Sequence, residues 1–139
     1  MSAGQPSSPL VVTCGLLWRG GRLLVARRAD NGLWELPGGK RAPGEGLAQC
    51  LRRELLEELG VEVEVLGPLA VVREPRPGGD LELHCFACRL AEGRPRALEH
   101  LELAWVEPAE LADLALCPAD RELARRLGGL IPPQSDPPA

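Results

Sequence analysis

The chain has 139 residues, the length of one domain, with 45% hydrophobic but only 3% aromatic residues, so leucine, valine and alanine must fill its interior. A net charge of −4 argues against a protein held on a nucleic-acid polymer by a basic face, although not against one that takes a small anion through a metal ion. There is no run of about 18 apolar residues to span a membrane, the first residues lack a secretory pattern, and five cysteines at scattered spacings form no disulfide framework, so a reducing cytoplasm is expected.

In chain order, residues 1–9 read as a disordered leader. Leu10–Trp18 is a β-rich apolar run ended by the turn signal "RGG", and Arg22–Arg28 is a second strand, together a hairpin. "LWEL" is a short extended piece before Pro37 and the glycine-rich loop "PGGKRAPGEG". From about Glu45 to Leu59 the pattern is helical: Leu47, Leu51 and Leu55 recur every four residues, and Gly60 stands where a left-handed stop belongs. "VEVEVLGPLAVVRE" resumes period-two alternation, Pro75–Asp80 is a loop, and "LELHCFACRL" is another strand. Leu101–Pro108 is a strand, a short helix runs from Pro108 to about Leu114, and a last helix starts near Pro118 and stops at Gly128–Gly129. Residues 131–139 read as a disordered tail, which leaves a domain over 10–130. This order predicts an α/β fold: a mixed sheet between helices, an α/β/α sandwich.

Cys85 and Cys88 form a C-x-x-C, but residues three apart on a strand point to opposite faces, and no second Cys/His pair lies at zinc spacing, so they read as small core side chains. His84, on the same strand, reads as structural; His100 adjoins Glu99, which it could tune.

The chemistry concentrates in "RELLEELG". At 100° per residue from Leu47, Glu57 falls at about 280°, Glu54 at about 340° and Glu58 at about 20°, on one arc abutting the leucine face. Three carboxylates there repel one another and oppose the negative end of the helix dipole. A hard divalent cation resolves both conflicts and keeps water ligands to share with a phosphate. Taken alone, the run reads first as a solvated acidic helix end. The loop before it changes that: Gly38 and Gly39 let backbone approach a metal or phosphate closely, and Glu45 could pair with a basic side chain and brace the loop.

Read as G-x5-E-x7-R-E-U-x-E-E-x-G-U, with U aliphatic, every position is met by Gly39, Glu45, Arg53, Glu54, Leu55, Glu57, Glu58, Gly60 and Val61. This resembles the Nudix box. The likeness runs from about Val11 to Leu127 and is strongest to the MutT-like (deoxy)nucleoside triphosphate pyrophosphohydrolases, with the CTP-preferring branch close. The resemblance implies Mg²⁺, with Mn²⁺ as a substitute, held by Glu54, Glu57, Glu58 and the Gly38 carbonyl. It implies a further acidic residue at Glu99, six residues before Trp105, with Glu102 as competitor. It further implies that Arg53 orients a catalytic glutamate, that Lys40 reaches phosphates, and that Arg28, with Arg27 as rival, contacts the nucleotide. In the MutT-like subgroup water attacks the β-phosphorus, giving a nucleoside monophosphate and pyrophosphate. The implied partner is a small nucleotide, acted on by a monomer or homodimer.

Asp120, in "CPADREL", matches a base-reading position that carries Asn in guanine-oxidation sanitisers. Ionised Asp only accepts hydrogen bonds, which suits an exocyclic amino group such as cytosine N4; protonated, it could read an oxidised purine; it is also a plain carboxylate at a helix start. Leu36 stands where some relatives have Phe, and Trp34 beside it reads as core. ADP-ribose hydrolysis is the alternative activity, because Pro77 lies 16 residues past Val61. A non-catalytic nucleotide-binding module is a third, although its usual mark, loss of box glutamates, is missing.

Overall fold

The computed structural model describes residues 9–128; the leader, the tail and the second glycine of the expected helix stop, Gly129, lie outside them. Eight strands, two α-helices and one 3₁₀ helix follow one another as β1 (Leu10–Leu16), β2 (Trp18–Arg19), β3 (Arg22–Arg27), β4 (Trp34–Glu35), β5 (Gly38–Lys40), α1 (Leu47–Leu59), β6 (Glu62–Glu74), β7 (Leu81–Glu92), β8 (Glu102–Val106), the 3₁₀ helix (Pro108–Asp113) and α2 (Pro118–Leu127). The expected Leu10–Trp18 strand breaks at Leu17, and β2 pairs with β3 as the second arm of the hairpin.

The strands form two four-stranded sheets. One has the order β5-β1-β7-β6 and is mixed, since β1 and β7 run parallel while the other neighbours are antiparallel. In the other, β3 pairs with β2 and β4, and with β8. Alternation along the strands sends successive side chains to opposite sides. Leu24, Phe86 and Cys88 therefore pack with Leu51, Leu55 and Leu59 of α1, while Leu23, Val25 and Cys85 pack with Leu123 and Leu127 of α2. The C-x-x-C is split between these two cores, and the five cysteines are free. Each fully buried leucine contributes about 2–3 kcal/mol of transfer free energy. No helix among the described residues is long and apolar enough to cross a membrane.

Two local features place the site. Helix α1 starts two residues later than its pattern suggests, with Gly46 as N-cap and its N–H bonded to Gln49 Oε1 at 3.3 Å; Glu45 stays outside the helix, where its side chain is free to hold the loop. The helix ends on Gly60, at φ 70°, whose N–H bonds the Leu56 carbonyl at 3.0 Å. The expected glycine loop is in part a strand: Gly38, Gly39 and Lys40 lie antiparallel to β1 opposite Cys14, Thr13 and Val12. Two glycines permit this because a Cβ on Gly38 would land on the Thr13 carbonyl, and one on Gly39 would land on the Glu54 carboxyl. Gly38→Ala should therefore cost about 3 kcal/mol, read as a lower denaturant midpoint, because rigid backbone lies in the way of the methyl group.

Candidate active site

A cavity of about 530 Å³ opens between β1, β5, the end of α1 and the start of α2. Its lining combines the cations Arg28, Lys40 and Arg76 with the acids Glu35, Glu54, Glu58 and Asp120. A larger cavity of about 900 Å³, walled by residues such as Leu111, Leu116 and Ala124, includes none of the box glutamates.

The box end is built around Arg53. Its guanidinium grips Glu45 in a fork, Nε donating to Oε2 at 2.6 Å and Nη2 to Oε1 at 2.9 Å. Nη1 reaches Glu54 at 3.0 Å and Glu57 at 3.2 Å, and Nη2 also donates to the Lys40 carbonyl at 3.0 Å. Glu45 accepts the Ala42 N–H at 3.0 Å. One side chain thus ties loop, strand β5 and two box glutamates together, and the Arg53 guanidinium holds the Glu45 carboxyl down at about 2. Lysine has no such fork. Arg53→Lys should lower kcat by about 10–100-fold through misplacement of the glutamates, with a smaller change in nucleotide KM, measured by steady-state kinetics.

The three glutamates differ in environment. The Glu57 side chain is 51% exposed, Glu54 15% and Glu58 only 10%. Glu58 touches Glu54, and its Oε2 is buried with no hydrogen-bond partner. Burial first, then the neighbouring charges of Glu54, Glu35 and Glu99, push the Glu58 carboxyl well above the usual carboxylate range. An orphaned carboxylate oxygen among like charges fits a divalent cation: such an ion supplies the missing partner and reverses the repulsion.

The rest of the cavity wall holds residues whose places the sequence left undecided. Arg28 lines the cavity, bound to Asp30 at 2.6 Å and Glu35 at 3.1 Å. Arg27 turns the other way, to the Gly32 carbonyl at 3.0 Å and to Glu102 at 3.2 Å, so neither it nor Glu102 borders the cavity. Glu99 is exposed but its charge is felt at Glu58. Asp120, at the first turn of α2, is buried and accepts the Leu36 N–H through Oδ1 at 2.9 Å. Burial raises its carboxyl to about 7. Trp34 packs half-buried against the α2-side core instead of the cavity, whereas Leu36 lines it. His84 pairs with Glu82 at 3.1 Å.

Glu35, Arg76, Cys117 and the contacts of His100 were not legible in the sequence. Glu35, Cys117 and Asp120 bring ligand atoms within 4.8 Å of one another. Burial pushes the Cys117 thiol up to about 11, so at neutral pH it is a protonated wall of the pocket rather than a thiolate ligand. Glu35, Arg76, His100 and the Cys117–Asp120 pair lie far apart in the chain, and no spacing rule links them.

A metal-fitting carboxylate cluster at the end of a helix, facing a cavity with arginine and lysine on its rim, defines a hydrolase that works on phosphoric anhydrides. Residues 8–127 match the model of the NUDIX domain, and the chain belongs to that family of hydrolases. A Mycobacterium tuberculosis (strain CDC 1551 / Oshkosh) protein named "Putative 8-oxo-dGTP diphosphatase 2" is 44% identical over 86% of this chain and 91% of its own length. The CTP pyrophosphohydrolase of Escherichia coli (strain K12) is 37% identical over 78% of this chain and 84% of its own. The solution structure of the E. coli ORF135 protein superposes with a TM-score of 0.80 at 33% identity, covering 89% of this chain and 91% of that one. The α/β class with a mixed sheet between helices is thus the Nudix fold.

Proposed function

We propose that this chain is a Mg²⁺-dependent pyrophosphohydrolase that cleaves a (deoxy)nucleoside triphosphate of the CTP or 8-oxo-dGTP type to the nucleoside monophosphate and pyrophosphate. The observation that carries the reading is the buried, unpartnered Glu58 Oε2 beside Glu54 at the cavity wall. The names of the M. tuberculosis and E. coli relatives support the substrate class. Glu54, Glu57, Glu58 and the Gly38 carbonyl would hold the cation, with Glu99 assisting; Mn²⁺ shares the preference for oxygen ligands. When bound, the ion supplies Lewis-acid stabilisation and a more acidic water.

The protein's own groups do the rest. Arg53 holds Glu54 and Glu57 at fixed positions. Lys40 offsets phosphate charge, Arg28 contacts the nucleotide, and Asp120 faces the base. A glutamate beside the cation, with Glu99 as the candidate outside the helix, takes the proton of the attacking water. The free cysteines support a reducing, cytoplasmic setting. We assign no nucleic-acid polymer or membrane as partner, and take the working form to be a monomer or homodimer.

A panel of nucleoside triphosphates and diphosphate-linked compounds with Mg²⁺, scored for pyrophosphate against phosphate, tests this. Pyrophosphate release from CTP, dCTP or 8-oxo-dGTP is expected. Exclusive phosphate release would sink β-phosphorus attack, and turnover of ADP-ribose alone would move the chain to the diphosphate-linked branch.

A further inference from the structure

We propose that His100 is a positioning residue that holds Glu58 and Glu35 in register and so joins the nucleoside end of the cavity to the metal end. Its Nε2 lies 2.9 Å from Glu35 Oε2 and 3.9 Å from Glu58 Oε2, with only 6% of the side chain exposed. Glu35 and Glu58 both line the cavity, but His100 does not, so it acts through them. The other oxygen of Glu35 is taken by Arg28 Nη1 at 3.1 Å. A continuous run of polar contacts therefore passes from Arg28 through Glu35 and His100 to Glu58.

The segment carrying His100 is held at both ends. The Leu98 N–H bonds the Glu58 carbonyl at 3.1 Å, at the end of α1, and the Leu101 N–H bonds the Arg27 carbonyl at 2.9 Å, on β3. Glu35 is fixed opposite Ala26 of the same strand. The imidazole is thus clamped between the two elements that carry its partners. Nδ1 is buried with no partner, so Nε2 is the ring nitrogen that meets the carboxylates. Held on Glu35, the ring stands 3.9 Å from the unpartnered Glu58 Oε2, too far for a hydrogen bond, so it sets a polar edge beside that oxygen and leaves it free for a cation. Groups that orient metal ligands from behind commonly contribute 10–100-fold to affinity or activity.

The inference rests on the hydrolase reading above, and its test separates the two. In His100→Leu, Mn²⁺ affinity, followed by the electron paramagnetic resonance of the free ion, should fall about tenfold and kcat should fall about tenfold, with a smaller change in nucleotide KM. His100→Gln carries an amide N–H to the position of Nε2 and should recover most of both; His100→Asn is too short to reach Glu35 and should not. Wild-type-like Mn²⁺ binding in His100→Leu overturns the inference, as does a Gln variant no better than Asn, a comparison that stands even if the leucine variant fails to fold. If the wild-type protein hydrolysed no triphosphate, the hydrolase reading would fail while the Mn²⁺ measurement still reported on His100.

Discussion

Glu58→Gln should reduce turnover by about 10²–10³-fold and at the same time raise the melting temperature of the metal-free protein. The loss follows from the several kcal/mol that a correctly held cation supplies, at about 1.4 kcal/mol per decade of rate. The gain follows from removing a buried carboxyl that touches Glu54 and leaves one oxygen without a partner. The pH dependence has a definite sign. The carboxyl is raised in the folded state, so the folded protein binds its proton more tightly than the unfolded chain does. Its favourable contribution is complete below the ordinary carboxylate range and is lost as pH rises through the higher folded value. Asp120 acts in the same sense between its ordinary value of 3.8 and about 7. The metal-free wild type should therefore melt at lower temperature as pH climbs above the carboxylate range. Glu58→Gln should flatten that slope, and saturating Mg²⁺ should flatten it in the wild type. Calorimetry across pH, with and without Mg²⁺, measures all three, and a Glu58→Gln protein with full activity would remove Glu58 from the metal site.

Asp120→Asn should change which base is accepted, by about tenfold or more in the ratio of kcat/KM for 8-oxo-dGTP to that for CTP. The Leu36 N–H would keep its acceptor, since the amide oxygen can take the place of Oδ1. The other half of the group changes from a carboxylate oxygen to an N–H₂ donor, and a pocket built to pair a donor discriminates strongly against a ligand that lacks the matching acceptor. If Asp120 reads the base as proposed, its ionised form would favour an amino group such as cytosine N4, and its protonated form would offer a donor instead. With burial holding the group at about 7, the wild-type ratio should itself move across neutral pH, and the amide should abolish that movement. Competition between the two substrates at pH 6 and pH 8 would show it. A ratio unaffected by either change would place the base elsewhere in the cavity.

Much of the fold and one half of the site were legible in the sequence, because both depend on neighbours along the chain. The period of the leucines in α1 and the alternation in β6 and β7 are local, and they foretold the split of Cys85 and Cys88 between two cores. The spacing from Gly39 to Val61 is local too, since one continuous segment, β5, the loop after it and α1 with its C-terminal stop, carries all of it. The division into two sheets was not legible, because it depends on the break at Leu17 and on the pairing of β3 with β8, some eighty residues apart.

What the sequence by itself determined is the arrangement of the box: three carboxylates on one side of a helix, beside two glycines that let backbone approach closely. What the tertiary structure alone decided is the wall facing them. It put Arg28 rather than Arg27 on the cavity wall, paired Arg27 with Glu102, and brought Glu35, His100 and the start of α2, with Cys117 and Asp120, together from three segments. The physical reason is that burial and long-range contact, rather than residue type, give these groups their state: Asp120 is an ordinary acid in the sequence and titrates near neutrality only because the folded chain removes it from water.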